Sequence, residues 1–514
     1  MKKKRKTKEW VNDSKVHKWE FAVAVIIGML LAAFYLYTDM LHTSAGGYRL
    51  LNCIKDGHLS IFYYSTYAGM RGGEEQVVTG GAYDFLLYFV FMLYNFPLWI
   101  WEKITGLSFM QFIVTREYIK GIVWVFAAIS SYLLYKIGMS CGLDKEESKW
   151  GAILYLTSGI FFYTEVVIGG YDIISVTFTL LGIYCYLEKK NKGFVLAFAI
   201  AIAMKMFALW LFIPLVLLKE KRIWRILVYG LEGISGIAIP KLYFIIASHR
   251  YMVNQAIEKA QAAGEQVEQA VIEQTTGYAS NELISSAENI VNDALFPKDR
   301  FAEYTFLSLN YLSLVFVGMF AVWIFCFLYK KEMEKRNVIY LCAVVMSIFT
   351  LTVKLHPQWV IVVVPYLILL IMFHPERMRD NLLLEGVFAT GYVLNKAIIY
   401  KWTCNLNMID NMFWPQHEFS FGSPEDAATD YGLSYYLGRI SDATSISLDN
   451  ISYLFKAAAV VGLVMLLIYN RPGRKNGEEG QVSYGERRKY VYTRFVISCL
   501  IGMLPMVGLI QYLM

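Results

Sequence analysis

Apolar runs near the length a bilayer needs, about 20 residues, recur from one end of the chain to the other. They cover Phe21–Tyr37, Phe85–Trp101, Gly121–Tyr135, Gly151–Glu165, Ile173–Leu187, Gly193–Leu218 and Ile226–Ile246 in the first half. Phe306–Leu328, Val338–Val353, Trp359–Phe373, Leu384–Ile399, Tyr453–Tyr469 and Tyr492–Leu513 follow. This pattern predicts an all-α polytopic membrane protein with about 13 transmembrane helices. Composition agrees: 57% of the 514 residues are hydrophobic and 18% charged, where a soluble domain carries roughly 25%. We find no internal repeat or inverted halves, which argues against a secondary transporter and for one integral unit over 1–514.

The polar stretches are of two kinds. MKKKRKTK at the start, the Lys136–Lys149 region, EKKNK (188–192), KEKRIWR (219–225), KKEMEKR (330–336), PERMRD (375–380) and RPGRK (471–475) are short and basic. Lys and Arg mark the cytoplasmic side, so these tracts and the linker 471–491 are placed there. The net charge of +6 thereby reads as orientation and not as nucleic-acid binding. Residues 39–83, 249–303 and 401–450 are long and less basic and read as outer loops. The second, rich in Ala, Gln and Glu, predicts helices at the outer interface. The N-terminal basic tract precedes a long apolar run with no small-residue cleavage site, which predicts a retained first helix and a cytoplasmic N-terminus in the cell membrane. Seven cysteines scattered singly predict neither disulfides nor a zinc site.

Counting crossings exposes two irregular segments. Gly121–Tyr135 ends at a basic tract, so it starts outside; Asp84–Ile104, which contains Pro97, then lies along the outer interface or re-enters without crossing. Gly193–Leu218 has basic tracts at both ends and Lys205 near its middle. A hairpin of two short helices, turning outward near Lys205, satisfies both charges and length. A cation mid-run costs about 2.5–3.5 kcal/mol on insertion scales and calls for a partner or a wet cavity. Glu232 and Lys396 are weaker cases of the same kind, and Glu165 reads as interfacial.

Three polar clusters converge on the outer face. The first runs from Asp39, just past the first span, through His42, Arg49, Lys55 and His58 to Tyr63. Asp39 is either the N-cap of a short helix or an ionised carboxylate beside a lipid-borne substrate. The second is IGGYD (168–172), where Asp172 opens a helix and is either its cap or a site acid. The third, VKLHPQW (353–359), carries Lys354 and His356 at a short outer turn. A carboxylate can take the proton of an acceptor hydroxyl, and Lys, Arg or His can neutralise a departing phosphate.

On these residues the chain resembles the GT-C superfamily of integral-membrane glycosyltransferases, which use polyprenyl-phosphate-linked sugars. The resemblance lies in Asp39 with its long first loop, GGYDIIS (169–175), AIAMKMFALWLFIPLVLLKEKR (201–222) and LHPQW (355–359), and extends to about Phe373. GGYD followed by a span and Lys205 is similar to the GQYD…K pattern of mannose-transferring members, with Gly170 in place of the glutamine. The resemblance implies a GT-C-like fold and transfer of a sugar from a polyprenyl-phosphate donor to a glycan, lipid or protein acceptor outside the membrane. Asp39 and Asp172 would be the catalytic acids, and His42, Lys55, His58, Lys205, Lys354 and His356 the donor contacts. The first loop has no DxD pair, so a divalent metal is not expected. The alternatives are a transporter or flippase of lipid-linked glycans, or a membrane glycan polymerase.

The charge-based topology is directly testable. On a cysteine-free background, Gly69→Cys, Gln266→Cys and Ser423→Cys should react with an impermeant thiol reagent added outside. Asn191→Cys, Glu332→Cys and Glu478→Cys should not; outside labelling at Asn191 would break the hairpin assignment.

Overall fold

The computed structural model of the chain describes residues 13–32, 38–63, 83–106, 113–263, 308–309, 312–353, 355–399, 433–473 and 483–503. Its regular elements are helices, apart from one antiparallel pair of two-residue strands. The first half holds α1 (Lys18–Ala32), α2 (Thr38–Lys55), α3 (Phe85–Thr105), α4 (Ile113–Ser140), α5 (Lys145–Leu156), α6 (Ile173–Leu187), α7 (Asn191–Met204), α8 (Leu209–Lys219) and α9 (Ile223–Ala263). After β1 (Ser308–Leu309) and β2 (Leu312–Ser313) come α10 (Leu314–Leu328), α11 (Lys335–Thr352), α12 (Val364–Phe373), α13 (Met378–Ile399), α14 (Leu433–Thr444), α15 (Leu448–Tyr469) and α16 (Tyr484–Met503).

Among the described residues, six helical stretches are long and apolar enough to cross a membrane, and seven if the bent pair Pro357–Phe373 and Pro375–Lys396, angled at 101°, is one span. About 13 were expected from the apolar runs. Four apolar helices have fewer than 18 residues, α6, α7, the Met206–Lys219 segment and α10, and the expected runs Phe21–Tyr37, Phe306–Leu328 and Tyr492–Leu513 lie partly outside the described residues. At 15 and 14 residues, α6 and α7 rise only about 21–23 Å. The hydrocarbon core is about 30 Å thick. Both are shorter than that thickness, and Asp172 and Lys205 stand at the ends of α6 and α7 that face each other. Over 23 residues the Tyr118–Ser140 stretch of α4 rises about 34 Å and passes them.

The basic tracts gather at one end of the bundle. Lys189 pairs with Glu332 at 2.7 Å, and Lys335 pairs with Glu188 at 2.9 Å and reaches Ser140. Arg336 donates to the Cys141 carbonyl, Lys219 to Asn191 and Lys221 to the Cys326 carbonyl. At the same end Arg377 donates to the Tyr469 carbonyl, while the amides of Asn381 and Asn470 bond each other in both directions. Hydrogen bonds from Ser140 and Lys335 hold the Glu188 carboxyl below the usual carboxylate range.

Within the expected linker 471–491 the structure differs from the sequence reading. α16 begins at Tyr484 and buries Arg487 and Arg488. Arg488 grips Glu20 of α1 at 3.1 Å and the carbonyls of Asp13 and Lys15, so the first and last described helices meet here. One step further in, Arg494 makes two 2.8 Å bonds to Glu385, which also accepts from Ser158. A buried pair holds only with such extra hydrogen bonds, since desolvation otherwise cancels the attraction.

The centre of the bundle is the stretch Lys145–Val167, whose apolar window is wholly buried. Against this core α3 stays continuous through Pro97. Its first half does not descend toward the basic end: Phe91 packs on Tyr171 beside Asp172, and Tyr94 exchanges hydrogen bonds with Tyr118 at the far end of α4. By length and composition α3 qualifies as a span. α2 packs on it closely: a Cβ on Gly47 would lie 2.7 Å from the Met92 nitrogen, and Asn95 donates to Ser44. The region 249–303 starts as a continuation of α9, which runs unbroken to Ala263.

Candidate functional site

After α5 the chain does not continue as a regular helix. Gly159–Phe161 forms a single turn and Phe162–Val167 widens into a π-helical turn, with the Ile168 amide bonding back to the Tyr163 carbonyl. Gly169 then takes a left-handed backbone, φ +69°, which other residues adopt only with strain. Gly170 follows because there is no room for a side chain: a Cβ there would lie 2.9 Å from Cβ of Gln358. The whole run from Gly159 to Asp172 is buried. Irregular backbone at membrane depth survives only inside protein or against a wet cavity, and π-turns are frequent at functional sites. IGGYD and LHPQW, far apart in sequence, thus meet through Gly170 and Gln358.

Across from Asp172 the α7–α8 hairpin turns. Lys205 has extended backbone between the end of α7 and a 3₁₀ turn over Met206–Ala208. The two helices then return together, with Phe212 ring-packed on Phe194 and Phe198, and Lys219 at the end of α8 bonded to Asn191 at the start of α7. The break swings the lysine inward, where Nζ lies 3.3 Å from Asp172 Oδ1 with the two side chains 14% and 1% exposed. It also lies 4.7 Å from the ring centre of Tyr83 and 4.9 Å from that of Tyr171. The ammonium so replaces its water with one carboxylate and two π-faces. Behind it, Ser175 bonds the Ala201 carbonyl and locks α6 to α7.

Tyr83 ties this pair to the first polar loop. Its carbonyl accepts from the Tyr63 hydroxyl, and its ring meets Tyr171 edge-on at 5.8 Å. Burial, with Asp84 adding to it, pushes the Tyr63 hydroxyl well above its usual range, so it remains a donor at any physiological pH. Arg49, itself buried, stacks at 4.6 Å over Phe62, which packs on Tyr63. Asp84 pairs with Lys241 of α9 at 3.4 Å.

Of the residues expected from sequence, Asp172 and Lys205 come together. Asp172 precedes α6 but its side chain makes no cap there, so the capping alternative fails for it. His356 opens the turn that carries Gln358, its ring 4.9 Å from Trp359. Lys55 and His58 stand exposed at the end of α2 and just beyond it, Lys55 beside Asp56, and the structure gives Lys55 no place at the pair. Asp39 and His42 fall in the first turns of α2, and their side chains, like the whole of Lys354, lie outside the described residues. Lys396 is accounted for structurally, donating to the Leu355 carbonyl at 2.8 Å. Sequence reasoning missed Tyr83 and Tyr171 as the lysine's flanks and Gln358 as the neighbour of Gly170.

The pair's geometry sets how variants behave. Lys205→Met leaves Asp172 short of a charge partner in a buried setting, so the thermal midpoint should fall. Lys205→Met combined with Asp172→Asn should recover most of that loss, because both charges are gone. Equal midpoints for the parent and Lys205→Met would mean the pair carries no weight in the fold.

Comparison with protein-family models, with curated proteins and with solved structures finds no match for this chain.

Proposed function

We propose that this is a GT-C-like integral-membrane glycosyltransferase, transferring a sugar from a polyprenyl-phosphate donor to an acceptor at the outer face. The observation that carries the reading is the recessed Lys205–Asp172 pair. The pair lies at the junction of GGYD, the first loop and LHPQW, and helices shorter than the hydrocarbon core would set it near the level of a lipid phosphate. An arriving phosphate exchanges one anionic partner of Lys205 for another, so the ammonium is never bare. Asp172 is then free to accept a hydrogen bond from a sugar or acceptor hydroxyl. Tyr83 and Tyr171 offer faces for a sugar ring, and His356 is the nearby second cation when protonated. Asp39 takes the proton of the acceptor hydroxyl in this scheme, at the head of α2. Gln358 against Gly170 brings an amide to the place where the related pattern has glutamine.

A second reading is favoured by other observations. Paired charges within helices, Arg494 with Glu385 above all, and two interrupted helical segments are features of transporters and flippases. The two classes separate in one experiment. Purified protein incubated with a panel of radiolabelled polyprenyl-phosphate sugars should release lipid phosphate with one donor. Lys205→Met should lower turnover about 10²–10³-fold, as loss of a preorganised donor does, and Asp39→Asn should abolish it. Transbilayer movement of the intact lipid in proteoliposomes, with no donor consumed, would replace the transferase by a flippase.

A further inference from the structure

Glu165 sits in the π-helical turn with 1% of its surface exposed, and both its carboxylate oxygens lack a hydrogen-bond partner among the described residues. It is one of the most thoroughly isolated acids in the described chain, and neither the donor site nor the two ion-paired clusters uses it. The groups that act on it are Asp172, at the start of α6, the Tyr155 hydroxyl of α5 and the hydroxyl of the adjacent Thr164. Lys205, the nearest cation named at this layer, is committed to Asp172 at 3.3 Å. α16, which also packs against the turn, has its inward Arg494 committed to Glu385 and the Leu154 carbonyl. The 3₁₀ turn on the remaining side brings His356 and Gln358, and Gln358 Oε1 is itself a buried acceptor without a donor among the described residues.

An ionised carboxylate in this place would have, among the described residues, only the Thr164 hydroxyl as a donor, itself bonded to the Ile160 carbonyl at 2.9 Å, and would face a second carboxylate. Burial of an unpaired charge costs far more than holding a proton does, and the group neutralises instead. The extra proton also turns Glu165 from an acceptor into a donor in surroundings that contain unfilled acceptors.

We infer that Glu165 is a bound-proton site: a neutral carboxylic acid within the helix bundle, next to the Asp172–Lys205 pair and separate from it. The proton lets one lysine suffice for two neighbouring acids. The inference goes beyond the transfer reading, since it needs neither lipid nor sugar. It also has a mechanical corollary: the widened turn keeps the acid at the level of Asp172, so removing the Asp172 charge changes what Glu165 feels.

Infrared spectroscopy reads this state directly. The full-length chain, purified at neutral pH in an ester-free detergent and labelled with ¹³C-carboxyl glutamate, should show a protonated carboxyl C=O band. That band should vanish in Glu165→Gln, whose amide mimics the neutral acid and should keep the parent's thermal midpoint. In Asp172→Asn the same band should persist but shift in frequency, which assigns it even if Glu165→Gln does not fold. A spectrum with ionised glutamate only would overturn the inference. So would a C=O band indifferent to both substitutions, or stabilisation of the parent by sodium or potassium in place of a proton.

Discussion

A lysine ending one apolar helix and starting the next must find its counter-charge within the protein, because the bilayer supplies none. That constraint organises the far half of this bundle. It explains why α7 stops at Met204 and α8 resumes after a short turn: the extended backbone of Lys205 turns the ammonium toward Asp172. Asp172 stands at the N-cap position of α6 with its side chain turned from capping to the lysine, and the π-turn, the left-handed Gly169 and the side-chain-free Gly170 lead the chain to that place. Tyr83 and Tyr171 fill the remaining sides with π-faces, and the first polar loop is anchored as a consequence.

The opposite end obeys the same rule by other means. There the charges are many, and they are spent as bonds between connecting segments: Lys189 with Glu332, Lys335 with Glu188, Arg377 with a helix-end carbonyl. Deeper in, Arg494 is satisfied by Glu385 from two sides, with Ser158 completing the acid's shell. Such fully bonded pairs rigidify the frame. In the Lys205–Asp172 pair the ion-pair contact is longer, 3.3 Å, and Lys205 keeps 14% of its side chain exposed.

Much of this was legible in the residues. Basic tracts on both sides of Gly193–Leu218 required a hairpin, and the cost of a mid-run cation singled out Lys205 before any geometry. GGYD drew attention to Asp172 for its glycines. What was not legible follows from physics that a linear pattern does not carry. Aromatics make up 16% of the chain, so nothing marks Tyr83 and Tyr171 as the ones that flank a lysine. Glu165 ends an apolar run and reads as interfacial, yet the π-turn carries the chain onward inside the protein and buries it. Arg487 and Arg488 read as linker because their tract is basic; only the packing of α16 against α1 and the segment before it provides Arg488 with Glu20 and the Asp13 and Lys15 carbonyls. Of the apolar runs that suggested about 13 spans, four form helices shorter than a span, and Phe21–Tyr37, Phe306–Leu328 and Tyr492–Leu513 lie partly outside the described residues.

The central claim is that the Lys205–Asp172 pair opens to receive a lipid-borne phosphate. An experimental structure of the chain in nanodiscs with a non-transferable polyprenyl-phosphate analogue tests it most directly. The account predicts phosphate density within hydrogen-bond distance of Lys205 Nζ, with the lysine turned away from Asp172 and still flanked by Tyr83 or Tyr171. Phosphate bound elsewhere, with the 3.3 Å pair intact, would contradict it.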